Sequence, residues 1–147
     1  MKYSYDTSTV EPLLKITQGF DFSPFEVCDV FVPVPLFPGK LKQRGLNQAL
    51  LLARLFFPSE SKNIFTDVLV KTRQTVSQTE LDAFGRRKNL RGAFAVKRPD
   101  IIHNKKICLV DDIYTTGTTV SECAATLQKA GASEILVLTL MRVRVFQ

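Results

Sequence analysis

The apolar run Ile107–Val110 ends in two adjacent aspartates, Asp111 and Asp112. Two residues later comes Thr115-Thr116-Gly117-Thr118-Thr119, and then a helical pattern. Few folds accommodate that order. A short, continuous apolar run is the pattern of a parallel strand buried on both faces, and open α/β sheets bind ligands at the C-terminal ends of such strands. Thr118 or Thr119 can cap the following helix, Ala124, Leu127 and Ala130 continue it, and Gly131 stops it. The expectation is a strand, a ligand loop and a helix in an α/β domain.

The residue types suit a phosphorylated sugar. Carboxylates accept hydrogen bonds from adjacent ribose hydroxyls, each worth about 1.5–3 kcal/mol. They also stabilise positive charge, on a cation or on a ribosyl carbon that becomes cationic. Thr115, Thr116, Gly117, Thr118 and Thr119 offer hydroxyls and an approachable backbone at a helix start, which is what a phosphate group requires. Asp111 as the nucleophile of an aspartyl-phosphate enzyme is the outside reading, and it leaves the hydroxyl loop with a vaguer role. A Walker loop is excluded because the segment has no lysine, and a dinucleotide fingerprint because Gly117 is its one glycine.

Elsewhere the chain alternates strands and helices, which indicates a parallel sheet. Strands are expected at 30–34, 67–71 (parallel), 94–96 and 134–141. Asn47 starts a helix that Pro58 stops, and Pro38-Gly39 marks a turn in a basic loop over 36–45. A short helix near 79–88 carries a capping-box-like pair, Thr79 and Asp82. Residues 1–28 are poorly patterned. His103, the sole histidine, sits in a polar turn over 99–106 and reads as a surface residue.

Ile107 to Thr119 resembles the 5-phosphoribosyl-1-diphosphate (PRPP) binding motif of type I phosphoribosyltransferases, with Tyr114 bulkier than the pattern expects. Val32-Pro33-Val34-Pro35-Leu36, Arg44-Gly45-Leu46-Asn47-Gln48 and the spaced set Gln78, Leu81, Arg86, Arg87, Asn89, Leu90, Gly92, Phe94 resemble the ComF/GntX competence-related branch. The resemblance implies a type I phosphoribosyltransferase-like parallel sheet flanked by helices, as one domain over 1–147. It implies a reduced N-terminal hood, because the region before Val32 is shorter than usual. The zinc ribbon common in this branch is not readable, since Cys28, Cys108 and Cys123 are isolated.

It further implies transfer of a phosphoribosyl group from PRPP to an unknown base or amine, with diphosphate release. Asp111 and Asp112 would be the catalytic acids and Thr115–Thr119 the 5-phosphate site. Arg44 and Gly45, helped by Lys42, would cradle diphosphate. Residues 72–92 would form a flexible loop, with Lys71, Arg73, Arg87 and Arg91 available for contacts. Mg2+ would arrive on the diphosphate, without a protein metal site.

Charge and cysteine content bound the remaining classes. The net charge is +6, and residues 71–106 hold ten Lys or Arg against Glu80, Asp82 and Asp100. That excess favours phosphate-bearing partners. With the competence resemblance it makes single-stranded DNA, bound by a non-catalytic nucleotide-sensing module, the alternative reading. A homodimer is also compatible. No stretch is apolar enough to span a bilayer, and three unpaired cysteines fit a reducing cytoplasm.

Overall fold

The computed structural model describes residues 11, 12, 15, 17–75 and 83–142. Its centre is a parallel sheet of β1 (Val30–Pro33), β4 (Lys106–Tyr114) and β5 (Glu134–Arg142), in the order β1-β4-β5. Val30 lies opposite Ile107, and Ile107 opposite Ile135. Beside this sheet, β2 (Leu69–Lys71) and β3 (Phe94–Val96) pair in antiparallel fashion.

Among the described residues are five α-helices, α1 (Pro38–Arg44), α2 (Gln48–Phe56), α3 (Ala83–Leu90), α4 (Pro99–Ile102) and α5 (Thr118–Lys129), and 3-10 helices at Ser23–Phe25 and Pro58–Asn63. This is the expected α/β architecture of a parallel sheet flanked by helices.

Because strand side chains alternate in direction, the sheet has two dry faces. Val30, Val32, Val34, Ile107 and Leu109 pack with Val120, Cys123 and Leu127 of α5 and with Val68, Leu69 and Phe94 of the β2–β3 pair. Phe31, Cys108, Val110 and Leu138 pack with Leu52 and Ala53 of α2, and with Phe25 and Phe57. Cys28 and Cys108 are buried together on this second face, and burial pushes both thiols up, so they act as small apolar residues.

Five expectations need correction. The strand at 67–71 does not join the parallel sheet. Thr72 N–H donates to Ala93 O at 2.8 Å and Lys97 N–H to Val68 O at 2.8 Å, closing a separate antiparallel pair. Packing in the core with α5 buries Val68 and Leu69, and the periodicity reads the same either way.

The loop over 36–45 is largely α1. Pro38 occupies the first turn, where its missing N–H costs nothing, and Gly45 closes the helix at φ +71°. β4 runs on to Tyr114, so the two acids lie inside the strand and not beyond its end. Gly117, not Thr118 or Thr119, stands at the N-cap of α5. Residues 99–102 form α4, with His103 exposed just after it. The Thr79–Asp82 pair and Gln78 lie outside the described residues, as do residues 1–10 of the expected hood.

Candidate functional site

β1 and β4 run parallel, so their C-terminal ends open on one side of the sheet. Val34 N–H donates to Val110 O at 2.8 Å, and the chain therefore leaves β1 level with Asp111. Asn47 fixes the return. Its side-chain amide donates to Val34 O at 3.1 Å, while its Oδ1 accepts from Ala49 N–H at 3.0 Å and caps α2. The asparagine of the RGLNQ segment is thus a positioning residue for the loop.

Asp111 shares the face that packs against α5, and only 8% of its surface is exposed. Its Oδ1 accepts from the Asp112 N–H at 2.9 Å. Burial, with Asp112 alongside, pushes Asp111 up to about 7. Asp112 is half-buried. Asp111 is therefore partly protonated at neutral pH, and hydroxyl donors or a cation beside this acid pair would favour its ionised form. Cys123 sits beneath it, its thiol pushed up by burial first and by Asp111 second.

Past the dyad, Gly117 turns at φ +73° and is buried. A methyl group there would collide with the Tyr114 ring and hydroxyl, so the tyrosine packs directly over the turn. The helical ladder starts with Ser121 N–H to Gly117 O at 2.8 Å. Helix geometry directs the amides before it along the axis toward the loop. The Thr116 and Thr118 hydroxyls lie 2.8 Å apart. Together with Ser121, Glu122 and Arg91 they line a cleft of about 300 Å3.

Arg91 reaches this cleft because the α3–β3 turn is pinned. Gly92 N–H donates to Glu122 Oε1 at 2.8 Å, and Arg73 Nη2 donates to the carbonyls of Asn89 and Arg91 at 2.7 and 3.0 Å. Arg73 is thereby a clamp on the turn. Arg87 lies on α3, and its side chain is outside what is described.

The expected diphosphate residues are less well placed. Lys42 and Arg44 are exposed on α1, and neither lines a described cleft. Gly45 does line one, a cavity of about 430 Å3 beneath α1 walled mainly by Pro33, Pro35, Leu36, Leu46 and Leu50. The sequence reading gave Glu122 no site role, since a lone acid near a helix start is not distinctive.

No group of three or more His, Cys, Asp or Glu side chains gathers among the described residues to hold a metal. Asp111 and the more open Asp112 offer the one or two carboxylates that Mg2+ takes when phosphate oxygens and water supply its remaining ligands. No helix among the described residues is long and apolar enough to cross a membrane.

No protein-family model matches the chain. It is 34% identical over 116 residues to competence protein F of Haemophilus influenzae, covering 78% of this chain and 50% of that protein. It is 32% identical over 130 residues to the DNA utilization protein YhgH of Escherichia coli K12, covering 88% and 56%. Against competence protein ComFC of Streptococcus pneumoniae it is 32% identical over 119 residues, covering 76% and 47%. The chain therefore spans about half the length of the curated relatives it matches.

Among solved structures, the allosteric regulatory enzyme of purine biosynthesis aligns at TM-score 0.53 and 21% identity, covering 90% of this chain and 25% of that one. A purine phosphoribosyltransferase of Pyrococcus horikoshii aligns at 0.46 and 16%, over 92% and 72%. The first alignment bears on the fold alone. The chain is a homologue of competence protein F, ComFC and YhgH, and it shares its α/β fold with part of the regulatory enzyme of purine biosynthesis.

Proposed function

We propose that this chain binds PRPP with Mg2+ and transfers its phosphoribosyl group to a nitrogen acceptor, releasing diphosphate, in a process linked to DNA uptake or use. One observation carries the reading. The Asp111–Asp112 dyad and the Thr116–Thr118 helix start stand at the same end of β4, three residues apart in sequence, with a cleft at the second. The 5-phosphate occupies Thr115–Thr119, with Arg91 at its edge, and the ribose hydroxyls meet the acids. Mg2+, held by phosphate oxygens with Asp111 or Asp112, would supply charge to offset that of the diphosphate. The two aspartates stabilise the ribosyl carbon as it becomes cationic.

Titration calorimetry with PRPP and Mg2+ tests this. Two charge-assisted bonds at about 1.5–3 kcal/mol each predict a hundredfold or greater loss of affinity in an Asp111→Asn/Asp112→Asn double variant. Wild-type protein binding no tighter than the variant would refute the reading.

The names of the relatives favour a second reading, a nucleotide-sensing module on single-stranded DNA. The surface weakens it. Arg98 pairs with Asp67 at 3.0 Å and Lys106 with Glu134 at 3.1 Å, so two of its charges are paired, and Arg73 is engaged on backbone carbonyls. DNA affinity falling with log salt at a slope of about −0.7 per phosphate contact would favour the module, and a flat profile would exclude it.

A further inference from the structure

α2 runs into two consecutive phenylalanines, Phe56 and Phe57, and Pro58 then turns the chain into the 3-10 helix over Pro58–Asn63. Phe22 meets them from the N-terminal segment. Asp21 Oδ1 accepts from Ser23 N–H at 2.9 Å and fixes the turn that carries Phe22. Phe31, on the sheet face away from α5, is buried against Phe57. These four rings, with Glu26, Ser59 and Glu60, line a cavity of about 330 Å3.

The rings are not stacked. Phe22 lies 5.2 Å from Phe56 at 41° and 5.8 Å from Phe57 at 87°, while Phe57 lies 4.4 Å from Phe31 at 40°. Rings tilted in this way cannot all hide their faces against one another, and Phe22 and Phe56 are only half-buried. The negative potential of an aromatic face is therefore available at the cavity wall.

The charge of the lining runs against that of the molecule. The chain holds 20 Lys and Arg and a net charge of +6, yet both charged groups in this cavity are carboxylates. Glu60 Oε2 accepts from Asn63 Nδ2 at 2.7 Å, which holds the Glu60 carboxylate in place. No ion pair among the described residues involves Glu26 or Glu60. Ring faces and carboxylates attract the same kind of ligand, one whose positive charge is carried on an apolar body. A neutral apolar molecule leaves both acids unanswered, and an anion is repelled by acids and ring faces alike.

We propose that this cavity binds a small organic cation, an ammonium group bearing alkyl substituents. The site is separate from the one at β4, because it shares no lining residue with the cleft at the start of α5 or with the cavity under α1. A concave space of this size encloses a free small molecule, whereas protein partners meet across broader surfaces.

Titration calorimetry of the full chain with choline and with 3,3-dimethylbutan-1-ol separates charge from shape, since carbon replaces the charged nitrogen in the second probe. Choline should bind saturably, and the uncharged probe at least tenfold more weakly. Phe56→Leu, which keeps apolar bulk but removes the ring, should weaken choline at least threefold. Glu26→Gln/Glu60→Gln should weaken it at least tenfold, with ribose 5-phosphate titrating as in wild type. Neither carboxylate belongs to the core, so the double variant decides the matter should Phe56→Leu fail to fold.

Absence of saturable choline binding, equal affinity for the two probes, or unchanged choline affinity in Glu26→Gln/Glu60→Gln overturns the proposal. A trimethyllysine peptide binding more than tenfold tighter than choline also overturns it, since the occupant would then be a protein side chain.

Discussion

Replacing Asp111 by asparagine should make the protein more stable above pH 7 while removing its ligand affinity. Asp111 is buried beside Asp112, and its pKa rises from the ordinary 3.8 to about 7. Between those values the folded state holds a proton that the unfolded chain has released. Folded protein then binds more protons than unfolded protein, so stability falls as pH rises through this window.

The penalty from this group is absent below about pH 4 and fully developed above about pH 7. At 1.36 kcal/mol per pKa unit it approaches roughly 4 kcal/mol. Asparagine has the same shape, and its Oδ1 can still accept from the Asp112 N–H. Urea unfolding at pH 8 should show a gain of about 2–4 kcal/mol, shrinking toward zero near pH 4. An Asp111→Asn protein no more stable than wild type at pH 8 would show that burial does not disfavour this carboxylate. Such a residue trades stability for a site.

Gly117→Ala should be the most damaging single change in the loop. The backbone there is left-handed at φ +73°, which costs an L-residue about 1–2 kcal/mol. The added methyl group meets the Tyr114 ring at less than contact distance. Loss of about 2–4 kcal/mol is expected on denaturation, with ribose 5-phosphate affinity lost as the turn opens. Adding Tyr114→Ala should recover the part due to crowding and leave the backbone part. A Gly117→Ala protein of native stability would mean that the turn tolerates a side chain and that its tight geometry is incidental.

The legible parts of this molecule are those where one physical signal dominated. Ile107–Val110 is apolar on both faces because it is the middle strand, and the helix after Asn47 is marked by a cap at one end and a proline at the other. The sequence reading brought Asp111, Asp112, Thr116, Gly117 and Thr118 to one end of one strand, and that is where they lie. The errors share a cause, since a local signal can have two structural meanings. Pro38-Gly39 reads as a turn, but proline also starts helices, and Gly45 was available to end one. Val68-Leu69-Val70 reads as a parallel strand, although an antiparallel pair covered by α5 is equally dry. Threonines beside a helix read as caps, whereas Thr116 and Thr118 bond to each other and the glycine makes the turn.

Lys71 was within view as one of several loop cations, but nothing local set it apart. What sets it apart is its surroundings, the Phe94 face and the Thr75 hydroxyl, which meet its ammonium only in the fold. Arg73 had the same standing in the sequence and proves to be a clamp on the turn that presents Arg91. Charge runs give no means of separating those roles.

The central claim is that backbone amides at the start of α5 hold a sugar's terminal phosphate while the two aspartates hold its hydroxyls. Titrating 15N-labelled protein with ribose 5-phosphate tests it most directly. Saturable amide shifts at Thr116, Gly117, Thr118, Asp111 and Asp112, with the residues lining the cavity under α1 unmoved, are the predicted result. Shifts confined to that cavity, or no saturable shift anywhere, would contradict it.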